Sequence, residues 1–325
     1  MTEIGHSAEE RPIYSVQIHD QRVNHNVTIV IVFGSHSREW ASQNSAVFLI
    51  RHLLNNTKLH RHIMTTKWYI VPVLNPDGYH FSTTKSSLWR KNRRLLANSK
   101  CVGVDLDRNF PAGWKSASSK KGWCEQDFSG PSTLSENEAQ ILKVFLEKIS
   151  YTDAYVDVHS CSQAILMPFN YQKVDIPKDS LKSMTDAANQ MKAAMEKTRG
   201  TKYAVKAGSD LRVVGGTSLD FAFQDLDIPI TFMLELGYVN KGETREDLLN
   251  CFHPSDENLV FLEKECLQGL LALNQYLVSK HQPRQKSPDD FDIKNQGSTK
   301  STLYAVSLSS ALFQMSLLVR NKCWQ

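Results

Sequence analysis

Apolar and polar residues alternate along this chain with two different periods. Val27–Phe33 is an apolar, β-branched run that stops at Gly34, which is typical of a buried strand. Ala41–Leu54 continues with apolar residues at helical spacing, separated by polar positions. The pattern therefore predicts a buried strand, a short turn and a helix in succession.

The same two periods predict the other elements of the chain. Apolar runs predict four further strands, at Ile13–Ile18, Thr66–Leu74, Tyr151–His159 and Pro229–Leu236. Helical spacing predicts three further helices, at Glu136–Ile149, Lys182–Arg199 and Leu259–Leu277. Tyr79–Gly122, which follows the turn signal Asn75–Gly78, is predicted to be mostly loop. Strands that alternate with helices predict a single α/β domain with a central mixed β-sheet flanked by helices.

Four polar side chains follow or end these predicted strands, where ligands bind in α/β folds. His36 and Glu39 lie three residues apart just beyond the first long strand, and His159 and Glu235 lie at the ends of two others. A short pair of ligands with a distant third is typical of a catalytic zinc site with one open position. Glu235 could then act as the general base on a metal-bound water, and Asp105 could orient a ligating imidazole.

The residues alone leave other interpretations open. The pair His36 and Glu39 could be the polar start of a helix, His159 a core residue with satisfied hydrogen bonds, and Glu235 half of a buried ion pair. The arginines of Arg90–Arg94 and Arg108 suit a carboxylate or a developing oxyanion, but they also fit a solvated basic face.

Composition excludes some classes of protein. The 325 residues are 41% hydrophobic and 22% charged, as in an ordinary globular protein, and a net charge of +4 is too small to indicate a nucleic-acid partner. The six cysteines include no CxxC pair, which excludes a sulfur-rich zinc module. The first 14 residues are polar, so the printed sequence shows no signal peptide.

Eight segments together resemble the zinc carboxypeptidases of the carboxypeptidase A/B family. They follow the family's order over about residues 4–277 and read IGHSAEERPIY, GSHSREWAS, VLNPDGY, LWRKNRR, CVGVDLDRNFPAGW, VDVHSCSQ, GGTSLDFAF and TFMLEL. The resemblance implies that His36, Glu39 and His159 bind one Zn²⁺ per chain. It implies that Glu235 is the general base and that Arg93 polarises the carbonyl group at the cleaved bond.

The resemblance also implies a site for the last residue of a peptide. Arg108 matches the arginine that binds the terminal carboxylate, between Asp107 and Asn109. Leu219 matches the residue at the floor of the specificity pocket, where an apolar side chain predicts hydrophobic or aromatic C-terminal residues, with Leu166, Val214 and Met233 expected nearby. Two further arginines match positions that line outer subsites, namely Arg38 and Arg90.

Two positions depart from the family pattern. Asp107 replaces an asparagine that would donate a hydrogen bond to the substrate, and Arg212 replaces a tyrosine that closes over it. One hypothesis is that Arg212 neutralises Asp107 or replaces the lost donor. The rivals are a catalytically weak, zinc-containing binding protein and an enzyme for a non-peptide amide or a modified C-terminus.

The resemblance implies one disulfide, Cys101–Cys124, and therefore an oxidising, extracellular location. We expect a zinc carboxypeptidase domain over residues 1–280, without the inhibitory prodomain common in the family. Residues 281–325 are expected to form a polar linker and a weakly apolar tail, whose charged finish argues against a membrane anchor. Peptide or protein C-termini are the expected partners of a monomer that binds no nucleic acid.

Overall fold

A computed structural model describes residues 1–20, 24, 26–55, 65–97, 99–114, 122–237 and 244–281. It contains one mixed sheet of eight strands in the order β1-β2-β4-β3-β5-β8-β6-β7, which confirms the predicted fold class. The strands are β1 Thr2–His6, β2 Pro12–Ile18, β3 Val27–Phe33, β4 Thr66–Val71, β5 Ala154–Ser160, β6 Ala164–Met167, β7 Ala204–Ala207 and β8 Ile230–Leu236. Residues 282–325 of the predicted linker and tail lie outside the described residues.

Helices cover both faces of the sheet. They are α1 Trp40–Asn55, α2 Pro76–Thr84, α3 Asn137–Glu147, α4 Lys178–Arg199, α5 Gly208–Leu211, α6 Ser218–Gln224, α7 Arg245–Phe252 and α8 Asp256–Lys280, with a 3₁₀ turn at Leu106–Arg108. Helices α1, α4 and α8 contribute to a core on one face, whereas α3 and α6 contribute to a core on the other. Among the described residues, no helix is both long and apolar enough to span a bilayer.

The two cores explain why β3 is apolar at nearly every position. Ile29 and Ile31 belong to the core with α1, α4 and α8, while Val30 and Val32 belong to the core with α3 and α6. A strand that is buried on both faces cannot alternate apolar with polar residues. The continuous run Val27–Phe33 follows from this position in the middle of the sheet.

Strands β3, β5 and β8 are parallel neighbours, so their carboxyl ends lie at one edge of the sheet. The register pairs Phe33 with Val158 and His159 with Glu235. Residues that directly follow β3 therefore lie close to the ends of β5 and β8. This arrangement brings His36, His159 and Glu235 together from distant parts of the chain.

The main error in the predicted elements is helix α2. Asn75–Gly78 was interpreted as a turn leading into loop, but a helix begins at Pro76. Its first turn is capped because the Asn75 side chain accepts a hydrogen bond from the backbone N–H of Gly78, and proline suits the first helical position. The short strands β1, β6 and β7 and the helices α5, α6 and α7 were also not predicted.

Candidate active site

Three buried side chains converge on one point at the edge of the sheet. The Nδ1 atom of His36 lies 2.9 Å from Glu39 Oε1 and 3.0 Å from the Nδ1 atom of His159. Glu39 Oε2 lies 3.1 Å from the same atom of His159. Burial opposes ionisation of Glu39, but the two imidazoles, His36 more than His159, hold its pKa well below the usual range. The group can hold a metal ion.

Asp105 supports the outer side of His36. Its Oδ1 atom lies 3.0 Å from His36 Nε2, and its Oδ2 atom accepts from Arg90 Nε at 2.9 Å. Burial alone would raise the pKa of Asp105, but Arg90 and His36 hold it well below its usual range. The carboxylate thus stays charged and keeps the Nδ1 side of His36 turned to the metal-binding group, as expected for Asp105.

Glu235 lies beside His159 and lines the cleft. Its Oε2 atom is buried and has no hydrogen-bond partner among the described residues. Burial raises the pKa of this carboxyl group, and the charge of Glu39 adds to that effect, while His159 opposes it. A carboxylate that is buried without a partner is costly unless it has a chemical task.

The cleft beside these residues has a volume of about 320 Å³. Its lining includes apolar residues, among them Leu166, Val214 and Met233. Leu219 is fully buried and packs with Leu166 and Met233, so it supports this wall from behind. A larger cavity, of about 650 Å³, lies between α4, α7 and α8 and is lined by none of the predicted site residues.

Residues 1–265 match the family model described as zinc carboxypeptidase. The chain belongs to the zinc carboxypeptidase family. Bovine carboxypeptidase O (Bos taurus) is 32% identical over 72% of this chain and 63% of its own length. The structure of bovine thrombin-activatable fibrinolysis inhibitor, solved with a tick carboxypeptidase inhibitor, covers 86% of this chain and 90% of that one, with 29% identity and a TM-score of 0.76.

One relative bears on activity. The inactive metallocarboxypeptidase ECM14 of Uncinocarpus reesii is 28% identical over 90% of this chain and 54% of its own length. The chain spans less than two thirds of the length of both these curated relatives. Family membership therefore fixes the fold and the type of site, while activity has to be argued from the residues themselves.

The donor set fits the zinc ion that the family implies. Two imidazole nitrogens and a carboxylate are ligands that zinc prefers, and three protein ligands leave one position open. The two Nδ1 atoms, 3.0 Å apart, face each other across the group, and both Nε2 atoms lie near carboxylates, of Asp105 and Asp157. A cation between the Nδ1 lone pairs suits this arrangement.

Arg90 lies at the metal-binding group, but Arg93 does not. Arg90 lines the cleft, with Nη1 at 3.7 Å from Glu39 Oε1. The guanidinium of Arg93 lies 3.7 Å above the ring of Phe81 and 4.7 Å from that of Trp89, and it is not among the residues that line the cleft. The structure thus does not place Arg93 in the cleft, and its role in polarising the carbonyl group stays a prediction. Arg90 is drawn inward by the buried carboxylate of Asp105, whereas the aromatic rings hold Arg93 elsewhere.

Arg108 lies in the cleft but is already paired. Its Nη1 atom donates to the carbonyl oxygen of Asp107 at 2.6 Å and to Asp107 Oδ2 at 3.1 Å. The other oxygen of Asp107 accepts from the backbone N–H of Ser218 at 2.9 Å. Burial raises the pKa of Asp107, while His159 and Arg108 oppose this rise. Gly216 lies against the carbonyl of Arg108, where an added Cβ atom would come within 2.2 Å.

Asn109 is not at the substrate site. Its Nδ2 atom donates to the carbonyl oxygens of Ser129 and Ser132, and its Oδ1 atom accepts from the backbone N–H of Glu136. It therefore holds the loops of residues 129–136 instead of a substrate. Asn109 is not among the residues that line the cleft, so the structure gives no support to the prediction that it binds substrate.

Two other arginines were predicted to touch substrate. Arg212 lines the cleft, but its Nη2 atom pairs with Asp127 at 2.9 Å, so the structure does not support neutralisation of Asp107 by Arg212. Arg38 lies 4.2 Å above the ring of Phe252, a residue that lines the cleft. Burial, aided by Arg90, lowers the pKa of Arg38 to about 10.

The described part of the chain contains two disulfides. Cys101–Cys124 agrees with the pairing that the resemblance implied, and its Cα atoms are 5.0 Å apart. Cys161–Cys251, with Cα atoms 5.7 Å apart, was not predicted and places Cys161 in the cleft wall.

The sequence also did not predict that Asp157 and Phe252 lie at the site. Asp157 could have been found because it lies two residues before His159 on the same strand, but Phe252 lies in an unpredicted helix.

Proposed function

We propose that this protein is a zinc-dependent carboxypeptidase that hydrolyses the last peptide bond of substrates with a free C-terminus. The observation that carries the proposal is Glu235, whose buried Oε2 atom has no hydrogen-bond partner among the described residues, beside the group of His36, Glu39 and His159. These residues would hold one Zn²⁺ per chain. A carboxylate next to such a site, at the edge of an open cleft, is the arrangement needed for metal-assisted hydrolysis.

The residues of the cleft have separate tasks in this reaction. Bound Zn²⁺ would act as a Lewis acid and lower the pKa of a water molecule. Glu235 accepts the proton of the attacking water and delivers it to the leaving amine. Arg90, close to Glu39 in the cleft, donates to the carbonyl oxygen as it gains negative charge. Arg108 pairs with the terminal carboxylate of the substrate.

The cleft wall supports a preference for hydrophobic or aromatic C-terminal residues. The residues around the proposed pocket are Leu166, Val214 and Met233, with Leu219 packed behind them. A basic side chain would need a carboxylate at this wall to offset its desolvation. An apolar side chain loses only its contact with water, which is favourable.

One observation favours a second candidate function, a zinc-containing binding protein with weak catalysis. Arg108 is bonded to Asp107, so a substrate carboxylate must share the guanidinium with a neighbour that can carry negative charge. A relative at 28% identity is described as inactive. The enzyme is favoured by the position of Glu235 and Arg90, which line the cleft beside the metal-binding group.

The test is release of phenylalanine from a peptide with a free C-terminal phenylalanine. We expect release by the zinc-loaded protein, loss of release with a chelator, and recovery when Zn²⁺ is restored. A matched peptide ending in arginine should be cleaved more slowly. If folded protein with one bound zinc releases neither residue, the enzyme proposal fails and the binding protein takes its place.

We also propose an extracellular location and a monomeric state. Two disulfides among the described residues support an oxidising compartment. The expected substrates are peptide or protein C-termini, with no nucleic-acid partner.

A further inference from the structure

We propose that Asp157 is a positioning residue that holds the imidazole of His159 in the orientation needed for metal binding. The inference rests on the zinc site of the proposed function, but it concerns metal affinity and can be tested without peptide hydrolysis. Asp157 lies in the segment VDVHSCSQ, but neither the residues nor the family resemblance assigned it a role.

Strand geometry places this carboxylate behind the histidine. Asp157 and His159 lie two residues apart in β5, so both side chains project from the same face of the strand. Asp157 Oδ2 lies 3.1 Å from His159 Nε2, while His159 Nδ1, on the other side of the ring, faces His36 and Glu39. The imidazole therefore lies between a carboxylate and the metal-binding group.

The carboxylate of Asp157 is itself fixed from two sides. Ser218 Oγ, at the start of α6, donates to Oδ2 at 2.6 Å, and Ser35 Oγ, just after β3, lies 3.3 Å from each oxygen. Asp157 is fully buried. Among the described residues, the ion pairs found for Asp157 are limited to the one with His159. The two serine hydroxyls thus hold the buried carboxylate in place beside the imidazole, which is the charged or chargeable partner that offsets its burial.

His159 Nε2 needs an acceptor, and Asp157 Oδ2 lies within 3.1 Å of it. The atom is buried, and the contact with Asp157 is close but not aligned with the ring N–H. A metal-bound imidazole carries its proton on the nitrogen that does not bind the metal, and a carboxylate on that side fixes both the tautomer and the ring orientation. Asp157 would do for His159 what Asp105 does for His36.

The same atoms allow a rival explanation. Asp107, Asp157 and His159 lie close enough to hold a second cation. Asp107, however, already pairs with Arg108 and accepts from Ser218. A guanidinium at this place supplies the positive charge that a second metal would bring, so we favour the positioning role.

The test compares three isosteric variants of the full chain. Asp157→Asn keeps the shape and an acceptor for the serine hydroxyls but loses the charge at His159. We expect zinc affinity, measured by competition with a chelator, to fall about 10- to 100-fold, as for other carboxylates behind metal-binding histidines. The zinc affinity of Asp105→Asn should fall by a similar factor. Asp153→Asn is the matched control, because Asp153 is buried before the same strand but bonds Thr28 and His281, and its zinc affinity should stay unchanged.

Two further measurements separate positioning from a general loss of structure. Substitution of Zn²⁺ by Co²⁺ gives a visible spectrum that reports ligand geometry, and we expect Asp157→Asn to change it while Asp153→Asn does not. Ser218→Ala removes one donor to Asp157 but keeps the carboxylate, and we expect a smaller loss of zinc affinity in the same direction. This variant also serves if Asp157→Asn does not fold.

Three results would overturn the proposal. Wild-type zinc affinity and an unchanged Co²⁺ spectrum in folded Asp157→Asn would show that His159 does not depend on the carboxylate. If Asp157→Asn does not fold, wild-type zinc affinity in Ser218→Ala would lead to the same conclusion. Two zinc ions per wild-type chain, with one lost in Asp157→Asn, would assign Asp157 to a second metal site. Absence of peptidase activity in the wild-type protein would count against the proposed function. The zinc affinities of the variants would still test the role of Asp157.

Discussion

The metal end of the cleft, formed by His36, Glu39, His159 and Glu235, differs from its anchor end, formed by Asp107, Arg108 and Arg212. At the metal end, carboxylates behind the imidazoles leave the Nδ1 atoms free to face the metal-binding group. At the anchor end, Arg108 is bonded to Asp107 and Arg212 to Asp127. We propose that the metal end is complete as a catalytic set, whereas the charged groups of the anchor end are already paired.

The largest expected effect is at Glu235. Glu235→Gln keeps the shape of the side chain but cannot accept a proton, so kcat for a phenylalanine-terminated peptide should fall about 10²- to 10⁴-fold. Zinc content, measured by metal analysis, should not change because Glu235 is not a proposed ligand. Activity within a few-fold of wild type would remove Glu235 from the mechanism and with it the claim that the metal end is complete.

The next effect separates two arginines that are three residues apart. Arg90→Ala should lower kcat about 10²- to 10³-fold, as for loss of one donor to a developing oxyanion. Arg93→Ala is the matched control and should change kcat only a few-fold, because its guanidinium lies over Phe81 and Trp89. The opposite order of effects would restore the original assignment to Arg93.

A smaller effect, with the opposite sign, is expected at the anchor end. Asp107→Asn removes the charge that competes for Arg108, so KM for a free-acid peptide should fall by about tenfold, a change of about 1.4 kcal/mol in binding. The kcat value should change little, since Asp107 is not assigned to the chemical step. An unchanged or higher KM would show that Asp107 does not weaken the anchor.

The smallest effect is expected at Arg212. Arg212→Ala breaks an ion pair with Asp127 that is largely exposed, with 59% of the Arg212 side chain accessible. KM for the same peptide should change by less than about threefold, as for the loss of other exposed ion pairs. A tenfold rise in KM, absent in the matched variant Asp127→Asn, would show that Arg212 binds the substrate directly.

Sequence patterns predicted those parts of the molecule where burial dominates. β3 is apolar throughout because both of its faces are covered, and the ends of β3, β5 and β8 placed the metal-binding residues at one edge. Helix α2 was missed because Asn75 and Pro76 suit a turn as well as a helix start. The four-residue strands β6 and β7 are too short for a period to show.

The positions of the arginine side chains could not be predicted for a different reason. Arg90 and Arg93 lie in an irregular segment, where no period tells which side chain turns inward. The choice depends on Asp105, which is distant enough in sequence to escape a local pattern and attracts Arg90. The position of the Asn109 side chain could not be predicted for a similar reason. Its hydrogen-bond partners at Ser129, Ser132 and Glu136 lie in a loop more than 15 residues away.

The most direct test of the proposed carboxypeptidase activity is the rate of phenylalanine release from one peptide in two forms. One form has a free C-terminal carboxylate, and the other is its C-terminal amide. The measurement uses zinc-loaded wild-type protein. We expect release from the free acid only, because Arg108 still binds the terminal carboxylate although it is also bonded to Asp107. Equal cleavage of the amide, or no cleavage of either form by folded protein with one zinc bound, would contradict it.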